Sequence, residues 1–429
     1  MGPLSGENRL RILWAKANKI LPVHSGGDIR SYNIARYLAA HHELTFFSYY
    51  DGERDEEYEN ALRKQFPHAI CVATGKANTS ALKRAWDYAR RFADEAPYAV
   101  NRFASEAVQR QLRCWYEDRS FDVAVCDFLD AAVNFPEKLT IPTVLFQHNV
   151  ESEIWRRHAT NGSGRLMKRV YGFEFRKMSR YEQAAMRRFR HVIAVSDHDR
   201  QLMSAWRESA GITVVPTGVD IEQFRGAANA RKEKPLVVFV GAMDWEPNVD
   251  AVEYFCREIW PRVAASVPHA HFRIVGRNPD ARVRKLACES VEVTGRVPSV
   301  VDHLQEAAVV VVPLRIGGGT RLKIYEAMAA GKAVVSTTVG AEGLDVHHGK
   351  DIVLADSPAS FAESVTSLLK DPALRSRYGD AAAELASRYG WPVIAAKFGE
   401  VLQAVAGESF VGEQAGARHE TLVPPSRVY

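Results

Sequence analysis

The stretch VVVVPLRIGGGTRLKIYEAMAAGKAVVSTTVG, residues 309–340, carries the clearest indication of the fold. A valine strand is followed by a glycine-rich turn, a helix with small apolar residues and a second valine strand. This order is typical of a parallel sheet covered by helices on both faces. Thr320 is predicted to cap a helix starting at Arg321, and Gly317, Gly318 and Gly319 would let the backbone approach a ligand closely.

The same alternation of apolar strands and helical stretches extends through the chain in two series. The predicted strands are 9–15, 43–49, 69–74, 121–127, 142–147, 191–196 and 212–216, then 235–241, 271–276, 291–295, 307–314, 333–338 and 351–355. The polar segment 225–234 separates the series and reads as an interdomain linker. We therefore expect an α/β protein with two Rossmann-like, doubly wound parallel-sheet domains. The predicted divisions are 1–222, a linker at 223–234, a domain at 235–390, a closing helix at 391–407 and a disordered tail at 408–429.

The composition of the 429-residue chain is that of a soluble globular protein, with 46% hydrophobic and 25% charged residues. No stretch approaches the ~20 consecutive apolar residues that span a bilayer, and the N-terminus has no signal-peptide core, so a cytoplasmic location is expected. The five cysteines include no CxxC pair, which indicates neither a zinc site nor a disulfide framework. No metal, resident cofactor or nucleic-acid partner is predicted.

The start of the helix after the glycines has an unusual charge pattern. Arg321 and Lys323 fall in its first turn, where the helix dipole is positive and a cation costs roughly 0.3–1 kcal/mol. A bound diphosphate would reverse the sign of this effect. One turn further on, Glu326 is placed to accept hydrogen bonds from the two hydroxyls of a ribose. The alternative is that both cations extend into solvent and Lys323 pairs with Glu326 across the helix surface.

Two further motifs have a structural and a functional interpretation. His148 follows a strand, as a catalytic or sugar-binding side chain would, although a histidine at a strand end is more often structural. Asp197 and Asp199 match the Asp-x-Asp pattern of some metal-binding transferases, but Ser196 and Asp199 are explained by a helix capping box. Glu151 and Glu153 are interpreted as helix N-terminal charges. HExxH, Walker A and GxGxxG patterns are absent from the sequence, which argues against nucleotide hydrolysis and nicotinamide binding.

Several segments together resemble the large retaining glycosyltransferase family usually numbered four, which has the GT-B architecture. They are PVHSGGDIRSYNIARYL (22–38), FQHNVES (146–152), VSDHD (195–199), VVPTGVDIEQF (214–224), FVGAMDWEPNVDAV (239–252) and GGGTRLKIYEAMAAGKAVVSTTVGAEGL (317–344). The resemblance implies two domains facing a central cleft, the first binding the acceptor and the second the nucleotide sugar.

The resemblance also implies roles for particular residues. Gly26 and Gly27 would lie near the donor phosphates or the acceptor, and His148 by the reacting sugar. Arg321 and Lys323 would hold the diphosphate, and Glu326 the ribose. Because ligands lie beyond the carboxyl ends of the strands, Gly241 is added to the donor site, and Arg296 and Val297 are candidates for backbone contacts to the base.

This chain departs from the family pattern at two places. Many members have a glutamate eight positions before the one equivalent to Glu326, where this chain has Gly318. That glutamate usually contacts the donor sugar, so backbone N–H groups of Gly318 and Gly319 would make this contact instead. The common Arg and Lys after the first strand of the second domain are absent from GAMDWEPN (241–248). Arg321 and Lys323 would then offset more of the phosphate charge.

Residues 156–190 hold most of the excess positive charge, with eleven Lys and Arg against Glu174 and Glu182. This pattern indicates either a solvated helix face or a surface for an anionic partner, such as the inner face of a membrane or a polyprenyl diphosphate acceptor.

The predicted reaction is transfer of a hexosyl unit from a nucleoside diphosphate sugar, the donor substrate, to a glycan or lipid-linked acceptor. It is expected to retain the anomeric configuration and to need no metal. The basic, glycine-rich form of the family pattern in this chain resembles members assigned to exopolysaccharide and cell-surface glycan assembly. The alternatives are a nucleotide-sugar 2-epimerase with the same two-domain layout and a non-catalytic nucleotide-sugar-binding protein.

Overall fold

The structure, a computed structural model, describes residues 9–23, 25–75, 86–88, 90–91, 94–161, 165–225, 234–316 and 321–417. The chain divides into two compact units, one formed by Met1–Pro216 with Ala395–Tyr429 and the other by Thr217–Ile394. Each unit has its own hydrophobic core. Among the described residues, no helix has both the length and the apolar character needed to cross a bilayer.

The first unit is built on a parallel sheet whose seven described strands lie in the order β3-β2-β1-β4-β5-β6-β7. These strands are β1 (Arg11–Ala17), β2 (Glu43–Tyr50), β3 (Ile70–Ala73), β4 (Val123–Asp127), β5 (Thr143–Phe146), β6 (His191–Ala194) and β7 (Ile212–Val214). Its described helices are α1 (Gly26–His41), α2 (Glu56–Gln65), α3 (Tyr98–Asn101), α4 (Glu106–Glu117), α5 (Leu129–Ala132), α6 (Glu151–Asn161), α7 (Arg165–Arg188) and α8 (Asp197–Ser204).

The second unit contains a parallel sheet with six described strands in the order β10-β9-β8-β11-β12-β13. They are β8 (Leu236–Val240), β9 (His271–Val275), β10 (Val291–Gly295), β11 (Val309–Val312), β12 (Ala333–Ser336) and β13 (Val353–Leu354). The described helices are α9 (Ile221–Arg225), α10 (Glu246–Tyr254), α11 (Trp260–Ser266), α12 (Ala281–Arg284), α13 (Val300–Glu306), α14 (Leu322–Ala329), α15 (Pro358–Lys370) and α16 (Pro372–Ser387), followed by α17 (Trp391–Ala417).

All thirteen predicted strands are confirmed. The central strands β4, β5 and β11 are buried along their whole length, as expected for a sheet covered on both faces. Their apolar runs are continuous for this reason, and that continuity made them recognisable in the sequence. In each unit the strand order reverses direction beside the first strand, at β1/β4 and at β8/β11. Ligands of such sheets bind outside the carboxyl ends of the strands at this point.

The division between the units differs from the predicted linker at 223–234. Residues 217–225 pack with the second unit, because Val219 and Phe224 lie in its core. Backbone hydrogen bonds from Val219 N to Tyr389 O (2.8 Å) and from Trp391 N to Val219 O (3.3 Å) hold this segment in place. The part of the linker at 226–233 lies outside the described residues.

The end of the chain also differs from the prediction. Helix α17 continues to Ala417, ten residues beyond the predicted end at 407, and its residues from Ala395 onward belong to the first unit. Adding a residue to an existing helix requires no new nucleation, and Ala, Glu and Gln in 408–417 favour helix. The remaining predicted tail, 418–429, lies outside the described residues.

Candidate functional site

A buried ion pair lies at the reversal point of the first sheet. Lys16 of β1 and Asp127 of β4 are partners in the strand register. The Lys16 Nζ atom lies 3.4 Å from Asp127 Oδ2, and the two residues are only 7% and 1% exposed. Asp127 Oδ2 also accepts a hydrogen bond from Trp14 Nε1 at 2.9 Å. Burial acts to raise the pKa of Asp127, but Lys16 and His148 hold that pKa well below its usual range.

His148 connects this ion pair to helix α1. Its Nε2 atom lies 2.7 Å from Asp127 Oδ1, and its Nδ1 atom lies 3.0 Å from Arg30 Nη1. Because arginine only donates, Nδ1 must accept, which assigns the ring proton to Nε2 and makes Asp127 its acceptor. Burial lowers the pKa of His148 to about 4, although Asp127 opposes the shift. The imidazole is therefore neutral at pH 7, with both nitrogens engaged by the protein.

The predicted glycines of the first unit lie beside this histidine. Helix α1 begins at Gly26 and is capped by Ser25, whose Oγ accepts from Asp28 N at 3.1 Å. A Cβ atom on Gly27 would lie 3.8 Å from Cγ of His148, which is van der Waals distance. The structure thus brings Gly26, Gly27 and His148 together at the N-terminus of a 16-residue helix.

In the second unit, the turn after β8 is shaped by two close backbone approaches. A Cβ on Gly276 would lie 1.6 Å from the carbonyl oxygen of Gly241, so residue 276 must be glycine. A Cβ on Gly241 would lie 2.6 Å from Asn248 Nδ2 and 3.0 Å from Lys323 Nζ. Glycine at 241 therefore lets the Lys323 ammonium reach the backbone at the carboxyl end of β8.

Lys323 is held inside this turn and does not extend into solvent. Its Nζ atom donates to Asn248 Oδ1 at 2.7 Å and lies 4.3 Å from the ring centroid of Phe239. Burial, together with the charge of Arg321, lowers the pKa of Lys323 to about 7, while Glu326 opposes the shift. Burial also raises the pKa of Glu326 to about 7, with Lys323 acting against it. The pair is poised to gain or lose protons near neutral pH.

The structure corrects the predicted start of helix α14. The helix begins at Leu322, and Arg321, with φ −86° and ψ 39°, is the N-cap residue. The expectation that Thr320 caps a helix starting at Arg321 was therefore wrong, because the backbone of Arg321 is not helical. Arg321 is 3% exposed and donates from Nη2 to Val339 O at 3.0 Å, with Glu342 at 3.8 Å. Gly317, Gly318, Gly319 and Thr320 lie outside the described residues.

The remaining predicted positions are placed less centrally. Arg296 and Val297 follow β10, the edge strand, which β9 separates from β8. Arg296 is exposed and Val297 packs partly against the core. The capping-box interpretation of Ser196 and Asp199 is confirmed, since Ser196 Oγ accepts from Asp199 N at 3.1 Å.

Sequence reasoning missed four residues of these sites. Lys16 comes directly after the predicted strand 9–15 and Asp127 ends the predicted strand 121–127, and a charged residue at the end of an apolar run was the available signal. Arg30 lies within the quoted segment 22–38, but no role was assigned to it. Asn248 received no role, although its position three residues after Trp245 places it in the first turn of α10.

Two Rossmann-like domains, each with a polar site at the reversal point of a parallel sheet, define the GT-B architecture. Solved structures share it. Sucrose-phosphate synthase from Thermosynechococcus elongatus superposes with a TM-score of 0.66 at 14% identity, covering 92% of this chain and 99% of that one. HepE from Anabaena, in complex with UDP, gives a TM-score of 0.63 at 15% identity, covering 92% of this chain and all of that one. At these identities the similarity concerns the fold.

The chain belongs to glycosyltransferase family 4. Residues 24–223 match the model described as Glycosyltransferase Family 4, and residues 234–371 match that of Glycosyl transferases group 1. The phosphatidyl-myo-inositol mannosyltransferase of Mycolicibacterium smegmatis is 29% identical over 241 residues, which is 53% of this chain and 61% of the relative. The match thus spans about three fifths of the length of that curated relative.

Proposed function

We propose that this protein transfers a hexosyl unit from a nucleoside diphosphate sugar to a hydroxyl of a glycan or lipid-linked acceptor, with retention of configuration. The observation that carries the proposal is the position of Lys323. Its ammonium is held against the backbone of Gly241, beside a helix start at the reversal point of the second sheet. Two cations at a helix N-terminus repel each other and the dipole, and a diphosphate bound there removes both penalties.

The chemistry of the donor site then consists mainly of stabilising the leaving group. As the glycosidic bond breaks, negative charge develops on the departing diphosphate, and Arg321 and Lys323 offset it. Glu326 accepts hydrogen bonds from the ribose hydroxyls, and the main chain at Arg296 and Val297 contacts the base. No divalent metal takes part in this scheme. His148, neutral and bonded through both nitrogens, acts as a positioning residue for Gly27 rather than as an acid or base.

The relatives support the choice of acceptor class. The mannosyltransferase of Mycolicibacterium smegmatis acts, by its name, on phosphatidyl-myo-inositol, a lipid carrying a polyol. HepE binds UDP, the product expected of a UDP-sugar donor. We infer that this chain glycosylates a lipid-linked or free glycan in exopolysaccharide or other cell-surface glycan synthesis at the cytoplasmic side of the membrane.

The test of the proposed function starts from a thermal-shift screen of UDP-, GDP- and ADP-sugars. The donor that raises the melting temperature most is incubated with octyl glycosides and with phosphatidylinositol, and the anomeric configuration of any product is determined by NMR. We expect a glycoside with the anomeric configuration of the donor. An epimerised nucleotide sugar formed without acceptor would identify a 2-epimerase, and donor binding without any turnover would identify a binding protein.

Donor binding is expected to release protons below about pH 7 and to take them up above it. In the free protein, Lys323 and Glu326, each with a pKa of about 7, together hold about one proton at that pH. The bound diphosphate favours Lys323 charged, and the ribose hydroxyls favour Glu326 ionised, so the complex again holds one. Above pH 7 the free pair holds fewer protons than the complex and below pH 7 it holds more, so binding takes up protons at pH 8 and releases them at pH 6.

This proton balance is measured by titration calorimetry in buffers of different ionisation enthalpy. The nucleotide sugar is used as the ligand because its diphosphate has no proton that titrates near neutrality. In Lys323→Met, binding of the nucleotide sugar should only release protons. In Glu326→Gln, it should only take them up. Binding with no proton exchange at pH 6 and at pH 8 would contradict the assignment of both residues.

Peripheral contact with an anionic membrane is proposed through helix α7. Arg169, Arg176, Arg180 and Arg187 recur at spacings of seven, four and seven residues, which places them on one exposed face. Met167, 43% exposed, lies beside Lys168 at the same end of the helix. Some basic residues of 156–190 face inward instead. Lys177 is nearly buried over Phe173, and Arg188 donates to Ala132 O.

We expect the protein to sediment with vesicles of phosphatidylcholine and phosphatidylglycerol but not with phosphatidylcholine alone, and less so at high salt. Because each basic residue near such a surface contributes about 1 kcal/mol, Arg176→Gln with Arg180→Gln should weaken binding about thirtyfold. The matched control is Arg257→Gln with Arg262→Gln, two exposed arginines of the second unit. Equal binding to neutral vesicles, or equal loss in both double variants, would contradict the proposed surface.

A further inference from the structure

Arg30 is a fully buried cation beside the imidazole of His148. It is in the second turn of α1, four residues after Gly26, and it is 0% exposed. Its Nη1 atom lies 3.0 Å from His148 Nδ1 and donates to His148 O at 3.4 Å. Because burying a guanidinium costs several kcal/mol, an uncharged side chain would fill this space at a lower free energy cost. The position of Arg30 therefore indicates a task at His148 that an uncharged side chain cannot perform.

The ring of His148 is fixed by contacts on its other sides as well. Its Nε2 atom lies 2.7 Å from Asp127 Oδ1 and 3.4 Å from Ser31 Oγ. The rings of Phe128 and Phe146 pack on the imidazole, with centroid distances of 5.3 Å and 4.5 Å. A flip of the ring would exchange its two nitrogens and break both of their hydrogen bonds, so each nitrogen keeps its own partner.

The chemistry of these two partners allows one protonation state. A guanidinium has five N–H donors and no acceptor, so a proton on Nδ1 would point at another proton. A carboxylate only accepts, and Asp127 therefore favours the ring proton on Nε2. A glutamine in place of Arg30 could turn its amide oxygen toward Nδ1, which would permit the other tautomer and the imidazolium. Arginine excludes both, because it cannot reverse its role.

The charges around the ring favour the same state. Charged groups of β1, β4, α1, α5 and α8 act on His148 or on its partners: Lys16, Asp127, Asp28, Arg30, Asp130 and Asp199. Burial and the charges of Arg30 and Lys16 lower the pKa of His148, while Asp127 opposes the shift. Burial also lowers the pKa of Arg30 to about 10, although Asp199 and Asp127 oppose this shift. The guanidinium therefore keeps its charge at neutral pH.

We propose that Arg30 is a positioning residue that holds His148 in one neutral tautomer, with the ring proton on Nε2, and thereby prevents an imidazolium from forming beside the reacting sugar. We call this arrangement the tautomer lock. It rests on the proposed function, in which the sugar meets the first unit at the reversal point of its sheet, beside His148 and Gly27. A sugar gains positive charge as its glycosidic bond breaks, so a proton placed on the adjacent ring would raise the barrier.

The tautomer lock is tested first by NMR of protein labelled with ¹⁵N in histidine only. The protonated and unprotonated nitrogens of a neutral imidazole differ widely in chemical shift, and the His148 signals are identified by their absence in His148→Gln. We expect the wild-type ring to carry its proton on Nε2 at pH 7 and to be still mostly neutral at pH 5. This measurement needs neither donor nor acceptor.

Two substitutions of Arg30 separate its donor role from its volume. In Arg30→Gln, the proton concentration that half-protonates His148 should fall about tenfold or more, because a nearby like charge is removed and the new amide accepts from Nδ1. Arg30→Lys should keep the wild-type tautomer, because an ammonium also donates without accepting. The matched control is Arg36→Gln, an exposed arginine of the same helix, which should leave the His148 signals unchanged.

The effect on transfer is measured as turnover at saturating donor and acceptor between pH 8 and pH 5. The turnover of Arg30→Gln relative to wild type should fall about twofold to tenfold as the pH decreases, in step with the protonation of His148. The relative turnover of Arg30→Lys and of Arg36→Gln should not change with pH. A purely structural defect in Arg30→Gln would instead lower its turnover by the same factor at every pH.

Each part of the inference can fail separately. A wild-type proton on Nδ1, or the same titration of His148 in wild type and Arg30→Gln, would overturn the tautomer lock. Loss of the wild-type tautomer in Arg30→Lys would overturn it too, and this variant and wild type suffice if Arg30→Gln does not fold. A relative turnover of Arg30→Gln that is independent of pH would overturn the role in transfer. If the NMR results are as expected but wild type transfers no sugar, the proposed function fails and the tautomer lock stands.

Discussion

Arg321→Ala is expected to lower turnover by about thirtyfold to nearly a thousandfold. This range corresponds to a loss of roughly 2–4 kcal/mol of transition-state stabilisation, as for other groups that meet charge developing in the transition state. Arg321 is almost fully buried at the N-cap of α14 and is fixed through Nη2 to Val339 O. Its charge therefore lies in place before the donor arrives and needs no reorganisation.

The choice of arginine has a further consequence. A guanidinium stays charged at any working pH and presents parallel N–H donors to a phosphate, whereas the ammonium of Lys323 titrates near pH 7. Arg321→Lys should therefore recover only part of the lost turnover. It restores a point charge but cannot hold Val339 O and a phosphate oxygen with the same geometry.

The decisive assay measures transfer by wild type and Arg321→Ala with and without excess EDTA. We expect EDTA to leave the wild-type rate unchanged, because two protein cations offset the diphosphate charge. Arg257→Ala, which removes an exposed arginine paired with Glu253, is the matched control and should keep wild-type turnover. Activity abolished by EDTA and restored by magnesium would refute metal independence, and wild-type turnover of Arg321→Ala would refute the assigned role of Arg321.

The strands could be predicted from the sequence because buried parallel strands are continuous apolar runs, and a run such as 309–312 has no other stable placement. The boundary between the units could not be predicted from the sequence. Residues 217–225 carry no composition that assigns them to either side, and hydrogen bonds of Val219 to Tyr389 and Trp391, about 170 residues away, decide their position. Such long-range pairing leaves no local trace.

The donor site was more accessible to sequence reasoning than the site around His148. Glycines beside two cations and a helix start form a local pattern, and Lys323 does lie against Gly241. The state of His148 depends on Asp127 and Arg30, which come from a different strand and from a helix more than 100 residues earlier. The ring is neutral and both of its nitrogens are hydrogen-bonded because it is buried, and the burial of a residue cannot be read from a single sequence.

Asp127→Asn is expected to destabilise the first unit by about 3 kcal/mol, measured by urea denaturation at pH 7. Removing one partner of a buried ion pair typically costs about 3–5 kcal/mol, because the other charge is left uncompensated in a medium of low polarity. Asp28, 3.5 Å from Lys16, remains as a second counter-charge, which places the expected loss at the lower end. His148 also loses the carboxylate that accepts from its Nε2.

The pH dependence of this effect has a definite sign. The pKa of Asp127 is lower in the folded chain than in the unfolded one. Its stabilisation is therefore fully present above about pH 4, the unfolded value, and is lost as the pH falls through the folded pKa. The difference between wild type and Asp127→Asn should consequently be constant between pH 6 and pH 8.

The same two strands provide the control. Asp122, just before β4, pairs with Arg11 of β1 at 2.7 Å, but the two side chains are 34% and 51% exposed. Because exposed pairs contribute at most about 1 kcal/mol, Asp122→Asn should cost less than that. Adding Lys16→Met to Asp127→Asn should recover at least half of the loss, since replacing both members of a buried pair by uncharged groups is often close to neutral. A loss equal to that of Asp122→Asn, or a double variant less stable than Asp127→Asn alone, would show that the fold does not depend on this buried pair, and that His148 and Gly27 are positioned by other contacts.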